Sequence, residues 1–287
     1  MKQHFVPVFY LKRFTLDDGH FLIYNVKSGK LKKNGKRFSP DSHFFEIDLN
    51  TLSHEGKTSY FIEDRFTKHD TEIGALLAKI DGQDNTVLTP YEWTNLQYFI
   101  NILYWRNPST TTILEDLIKN AKNLSPFGAS LRDAKTGERL SDQQEQDLIL
   151  KNPQFLKFLR LQMAGNTYPE VFQKTEQDHV SIITFPPGLP KFVSDNPVIY
   201  LNEPGESLHT APLIFPLTPT KILFRHLRPN FTISTKARPL IDMILMSQAT
   251  NYVSTTDDKY PGLLLEALNE DGFSIKRARS GLGQLLR

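Results

Sequence analysis

A chain of 287 residues can form one large domain or two ordinary ones, and it is long enough to bury a substantial core. With 39% hydrophobic and 23% charged residues its usage is ordinary for a globular protein, which argues against general disorder, and a formal net charge of +2 does not by itself imply nucleic acid. The lack of cysteine excludes disulfides, thiolate nucleophiles, zinc–thiolate sites and iron–sulfur clusters. No apolar run approaches the roughly 20 residues needed to cross a bilayer. The amino terminus carries no basic-then-apolar secretory pattern, so the expectation is a soluble, cytoplasmic protein with no membrane partner.

The first stretch, Gln3 to Phe14, surrounds His4 and Pro7 with Phe5, Val6, Val8, Phe9, Tyr10 and Leu11, and contains the basic pair Lys12-Arg13. Termini usually fray, so this apolar density predicts a docked anchor that delivers His4 into a site. Phe21-Leu22-Ile23-Tyr24 reads as a strand, and Ser28-Gly29 and Asn34-Gly35 supply the turns of a small β meander. The connecting segment carries Lys27, Lys30, Lys32, Lys33, Lys36 and Arg37, with no acid between Asp18 and Asp41. It is either a solvated hairpin whose charges resist edge pairing, or a nucleic-acid contact surface in which Lys30, Lys32, Lys33, Lys36 and Arg37 meet phosphates and binding depends on salt.

From Ile62 the period becomes helical: Phe66, Ile73, Leu77 and Ile80 share one face, and Asp70 falls among them. A carboxylate in an apolar stripe must be paired, hydrogen-bonded or raised in pKa, unless it sits in the first turn and meets the positive helix end. Pro90 opens a second helix, Tyr91 to Trp105, with Leu96, Phe99, Ile100 and Leu103 inward. Arg106 closes it, either to complement the helix dipole or to grip an anion. Ser109-Thr110-Thr111-Thr112 caps a third helix to about Lys122. The polar stretch 125–147 is expected to be a mobile excursion and a candidate internal boundary within a single domain spanning 1–287. Helical periodicity resumes at Phe155, Phe158 and Leu159 and runs past Pro169, with a kink or break, to about Gln177.

The second half turns to strands: Val180 to Phe185, Lys191 to Val193, Val198 to Leu201, Ala211 to Leu217 and Lys221 to His226. Their short spacing predicts one mostly antiparallel sheet, covered by a helix from Thr235 to Tyr252. A basic tail, 274–287, is expected to be flexible. The fold class is therefore α+β: an N-terminal anchor and meander, a helical middle, and a C-terminal sheet covered by helices.

Gln3-His4-Phe5-Val6-Pro7 with Phe9-Tyr10-Leu11 and Phe14, then Phe192-Val193-Ser194-Asp195-Asn196-Pro197-Val198, then Phe215-Pro216-Leu217-Thr218-Pro219, stand in this order along the chain. Together they resemble a bacterial domain of unknown function, family 4238 (DUF4238). The resemblance extends from His4 to about Asn251 and is weakest in the helical middle. It implies where a site lies and supplies no chemistry.

The Asp and Asn of Ser194-Asp195-Asn196-Pro197 favour turns through side-chain to backbone bonds, or else point into a cleft. In the second case His4, Asp195 and Glu72 form a candidate catalytic set, with Gln3, Arg106 and Asn196 binding ligand. His4 would act as general base or metal ligand, Asp195 as metal ligand or as the group orienting His4, and Arg106 as anion stabiliser. The sequence names no cofactor, and a divalent metal is compatible with that set. No Walker loop, dinucleotide glycine pattern, His-Glu-x-x-His or nucleophile elbow is present. Asp41, Glu46 and Asp48 imitate part of a restriction-type nuclease core but lack its lysine. Two functions stay open: a binder of an anionic or nucleic-acid ligand, and a metal-dependent phosphodiesterase or nuclease acting in defence or as a toxin.

Overall fold

The computed structural model describes residues 1–83, 87–122, 131–172, 179–201, 211–229, 231–270 and 272–287. Strand β1 (Lys2–His4) runs into the one-turn helix α1 (Val8–Leu11), and Pro7, extended and without a donor to lose, fits the residue before that turn. The meander follows: β2 (Phe21–Asn25), β3 (Lys30–Leu31) and β4 (Arg37–Phe38), with β3 and β4 both antiparallel to β2. Its tip is a run of left-handed residues, Lys33 (φ 47°), Asn34 (φ 53°) and Gly35 (φ 82°), of which only the last two types take that conformation readily. Strand β5 (Phe45–Ile47) returns to pair with β1, and β6 (Leu52–His54) and β7 (Lys57–Ser59) form a separate hairpin.

The helical middle comprises α2 (Phe61–Asp81), α3 (Pro90–Arg106), α4 (Thr110–Asn120), α5 (Asp142–Lys151) and α6 (Pro153–Phe172). The faces expected from periodicity are the buried ones: Phe66, Ile73, Leu77 and Ile80 on α2, and Leu96, Phe99, Ile100 and Leu103 on α3. Helix α3 starts with a capping box, Thr89 accepting from the Glu92 amide, and the same Glu92 carboxylate binds Lys79 Nζ at 2.7 Å, fastening α3 to α2. Ser109 does not cap α4 with its side chain; Asn107 Oδ1 instead accepts from Ser109 N, and the Thr110 hydroxyl donates back to the Asn107 carbonyl at 2.7 Å.

Within 125–147, residues 125–130 lie outside the described ones, and 142–147 belong to α5, opened by a Ser141–Gln144 capping box. The intervening stretch is tied down too, because the fully buried Glu145 accepts from Leu131 N at 2.7 Å. Arg139 Nε also lies 3.6 Å from the same carboxylate, so this buried acid meets a cation as well as a backbone donor, and hydropathy alone hides it. Helix α6 continues through Pro169 to Phe172, and 173–178 lie outside the described residues.

The later elements are β8 (His179–Thr184), β9 (Phe192–Ser194), β10 (Ile199–Tyr200), β11 (Leu213–Pro216), β12 (Lys221–His226), α7 (Ala237–Gln248), β13 (Tyr252–Thr255), α8 (Tyr260–Asn269) and α9 (Ile275–Leu286). The strands expected to form one sheet divide between two. One sheet has the order β10-β11-β12-β8; the other is β3-β2-β13-β9, with β4 also on β2. The covering helix ends at Gln248, short of Tyr252, because residues 249–251 turn and Tyr252 starts the central strand β13. Pro197 offers no amide to extend β9, so the chain leaves one sheet there and joins the other at Ile199. The tail expected to be flexible is α9, with Leu282 and Leu286 buried and Arg279 and Arg287 donating to the Tyr200 and Leu201 carbonyls.

Two apolar cores result. The first joins the N-terminal anchor to α2, α3 and the β11 face, through Tyr10, Phe14, Phe99 and Phe215. The second lies under α7, α8 and α9, around Phe192, Phe224, Ile244 and Val253. Inside it Arg238 donates Nε to both Asp242 oxygens at 3.0 Å, and the Tyr260 hydroxyl donates to Asp242 at 2.9 Å. Burial raises Asp242 to about 6 against the pull of Arg238. Arg238→Met should cost about 3–5 kcal/mol in urea unfolding, since it strands a buried carboxylate. Because the folded pKa exceeds the unfolded one near 3.9, the folded state holds this proton longer. The Asp242 contribution is thus complete below about pH 4 and lost as pH rises through about 6, so the stability gap between the native protein and Asp242→Asn should shrink over that window.

Candidate functional site

Gln3 and His4 alternate across β1, so one side chain enters the core and the other meets solvent. Gln3 is fully buried, donating Nε2 to Thr51 Oγ1 at 3.0 Å and accepting Asn50 N at 2.6 Å, so both ends of its amide are in use inside the protein. The half-buried His4 ring packs on Phe45 at 5.5 Å, and its Nε2 lies 3.3 Å from the Asp41 carbonyl oxygen. Burial lowers its pKa, the Asp41 carbonyl works against that, and Arg106 reinforces it. The neutral ring therefore donates from Nε2 and keeps Nδ1 as an acceptor.

Arg106, only 3% exposed, meets two acids of α2: Nη1 is 3.3 Å from Asp70 Oδ2 and Nη2 is 3.4 Å from Glu63 Oε1, while its plane lies over Phe66 with Cζ 4.8 Å from the ring centre. The anion that Arg106 grips is supplied by its own chain. Asp70 lies well inside α2, so a first-turn role is excluded. Its pKa is raised by burial, with Arg106 pulling the other way. One guanidinium thus faces two carboxylates, and the proximity of Glu63 adds a smaller push in the same direction as burial. Glu63 Oε2 also accepts Asn50 Nδ2 at 2.9 Å, linking the hub to the Gln3 anchor.

Asp195 belongs elsewhere. It is 1% exposed, and its carboxylate accepts Thr250 N at 2.8 Å, Asn251 N at 2.6 Å and Tyr252 N at 2.9 Å, holding the turn between α7 and β13. Burial raises its pKa despite those three donors. Asn196 takes part through its backbone, its amide donating to Ser194 Oγ at 3.0 Å and its carbonyl accepting Gln248 Nε2 at 2.6 Å. Among the described residues His4 has no contact with Asp195. The two clusters are joined through the end of α3, where Asn107 Nδ2 donates to the Asp195 carbonyl at 2.6 Å.

Glu72 lies on a third surface. The turns of α2 that face away from the core join α3 and α6 in a groove of about 880 Å³, within the size range of small-molecule sites. From α2 come Phe61, Arg65, Lys68, His69 and Glu72; from α3, Tyr91, Asn95 and Tyr98; from α6, Phe158 and Gln162. Ile62, Phe66 and Ile102 complete its apolar lining, and Phe66 is the ring beneath Arg106. Phe158, which periodicity would turn inward, is 43% exposed. His69 stands edge-on to Tyr98 at 4.9 Å, and burial lowers its pKa against Glu72 and the Asn95 backbone. Sequence reasoning missed Arg65, Lys68 and His69, although with Glu72 they repeat at helical spacing along one flank of the apolar stripe of α2.

The basic hairpin is unevenly committed. Arg37 pairs with Asp18 at 2.7 Å. Lys32 Nζ binds the buried His43 Nε2 at 2.9 Å and lies over the Tyr252 ring at 4.9 Å, and burial together with Lys32 holds His43 down at about 4. Ser42 Oγ is 2.8 Å from His43 Nδ1, so a neutral ring donates from Nδ1 and accepts the ammonium at Nε2. Lys27, Lys30, Lys33 and Lys36 are exposed and have no ion-pair partner among the described residues. Among those residues, no three His, Asp or Glu side chains converge as metal ligands, and no helix is long and apolar enough to cross a membrane.

The fold and these surfaces define an α+β protein with a buried arginine hub, an aromatic helical groove and a cationic hairpin. A family model described as a protein of unknown function (DUF4238) matches residues 2–256, and the chain belongs to that family. Neither a curated protein nor a solved structure matches it.

Arg106→Met should lower stability by about 3–5 kcal/mol by leaving Glu63 and Asp70 facing one another, and Arg106→Lys should not restore it, since one ammonium cannot fork to both acids. In the same urea titrations Asp195→Ala should cost about 2–4 kcal/mol through its three orphaned amides, whereas His4→Ala should cost less than about 1 kcal/mol.

Proposed function

We propose that this protein is a non-catalytic binder of a polyanion, the phosphate backbone of nucleic acid being the ligand, and that it uses the cationic hairpin of residues 27–37. The observation that carries this reading is the set of exposed lysines at 27, 30, 33 and 36, with which no acid forms an ion pair among the described residues. Folded proteins intersperse charges of both signs, and a single-signed protrusion matches a polyphosphate more closely than a compact ligand. Lys32, held by His43 and Tyr252, and Arg37, held by Asp18, brace the hairpin.

Phosphodiester hydrolysis is less well supported. The Asp195 carboxylate is occupied by backbone amides, and Glu72 faces the helical groove, so neither has been brought to His4. Fluorescence anisotropy with labelled RNA and DNA, with and without Mg²⁺ or Mn²⁺, tests both readings. Affinity should fall steeply between about 50 and 200 mM salt, and Lys30→Glu/Lys33→Glu/Lys36→Glu should flatten the log–log slope on duplex by about 0.9 for each phosphate the hairpin no longer neutralises. An unchanged slope in that variant overturns the hairpin reading, and metal-dependent cleavage that disappears in His4→Ala and Asp195→Ala would favour the nuclease instead.

A further inference from the structure

We infer that the groove between α2, α3 and α6 is a second binding site, for a nucleobase bearing a phosphate: the base stacks among the groove aromatics while Arg65 and Lys68 hold the phosphate. The inference goes beyond the polyanion reading and stands or falls separately from it, because the groove uses different residues on different elements.

The aromatic content comes first. Phe61 is 55% exposed, Tyr91 66% and Phe158 43%, each from a different helix, and all three border one groove. Single exposed apolar side chains are ordinary, but a convergent set facing a shared concavity is the mark of an interaction site. Such rings can take a flat π-system on their faces without reading its sequence.

The polar groups narrow the chemistry. Arg65 and Lys68, one turn apart, have no ion pair among the described residues, so their charge is available to a ligand anion. The Arg65 guanidinium lies over Phe61 with Cζ 5.2 Å from the ring centre, where it is pre-placed rather than free to sweep. Deeper in, His69 Nε2 is buried with no hydrogen-bond partner, which leaves an unmet polar demand. Glu72, one turn further along, can accept an amino or ring N–H from a base edge. A purely apolar peptide would leave both cations and this ring nitrogen unused. Inorganic phosphate would leave the aromatics unused.

Calorimetric titration of the full-length chain tests this, with adenosine 5′-monophosphate, guanosine 5′-monophosphate, adenosine and inorganic phosphate as probes. Either nucleotide should bind at least about tenfold more tightly than adenosine or phosphate, and Arg65→Ala/Lys68→Ala should weaken it by about tenfold or more. Tyr91→Ala, at an exposed position, should weaken it with little change in melting temperature. The Lys30→Glu/Lys33→Glu/Lys36→Glu variant should bind nucleotide normally. Displacement by a short 5′-phosphorylated single strand would identify a strand end as the source of the ligand, and failure to displace would identify a free nucleotide. The inference is overturned if nothing binds at about 1 mM, if phosphate or adenosine alone binds as well as nucleotide, or if the groove variants bind normally while the hairpin variant does not.

Discussion

The structure depends on one tie, between Tyr10 and the β11 strand. The Tyr10 ring is fully buried and stacked on Phe215 at 5.5 Å, and its hydroxyl donates to the Pro216 carbonyl at 2.6 Å across 206 residues of sequence. Burial raises the Tyr10 pKa well above its usual value, so the hydroxyl remains a donor. Without that tie the opening segment would leave Phe5, Val6, Leu11 and Phe14 uncovered, and α2 and α3 would lose the surface on which they pack. Gln3, the Arg106 hub and the hairpin all take their positions from this docking, since β1 brings Gln3 to Asn50 and β2 lies in the sheet with β13.

The Arg106 hub and the helical groove share a residue. Phe66 is a lining residue of the groove on one side and the cushion of the guanidinium on the other. Orphaned polar atoms remain on Arg106 Nε and Asp70 Oδ1, so this charged interior is satisfied only in part. Buried polar groups of that kind constrain which packing is allowed more than they add net energy. A hub that tolerates one arrangement also fixes where α2 stands, and with it the groove wall carrying Arg65 and Lys68.

Much of the architecture is legible wherever a period is long and consistent. The inward faces of α2 and α3, the meander on Phe21–Asn25, and the α+β class follow from spacing and turn residues. Legibility fails where a polar side chain overrides pattern. Asp195 draws the backbone of Thr250 to Tyr252 into a turn, so a run that reads as continuous helix divides into α7 and β13. The same corner sends β9 and β10 to different sheets, which strand spacing cannot reveal. Among the polar residues, an Asp70 carboxylate set in an apolar stripe announces its need for a partner, which Arg106 supplies. The grouping with Asp195 is not recoverable, because linear order says nothing about which polar residues share a surface. Phe158 follows the core period and still faces the groove, since a ring that lines a concavity and a ring that fills a core carry the same sequence signal.

Strand β13 has a further consequence. It inserts between β2, near the start of the chain, and β9, so the central sheet is a splice of segments more than two hundred residues apart. A nascent polypeptide emerging from the ribosome would carry β2 with an open edge until Tyr252–Thr255 had been made. Helices such as α2 and α3 can condense early on local contacts, but the sheet that joins them to the carboxyl half has to wait for late, long-range pairing.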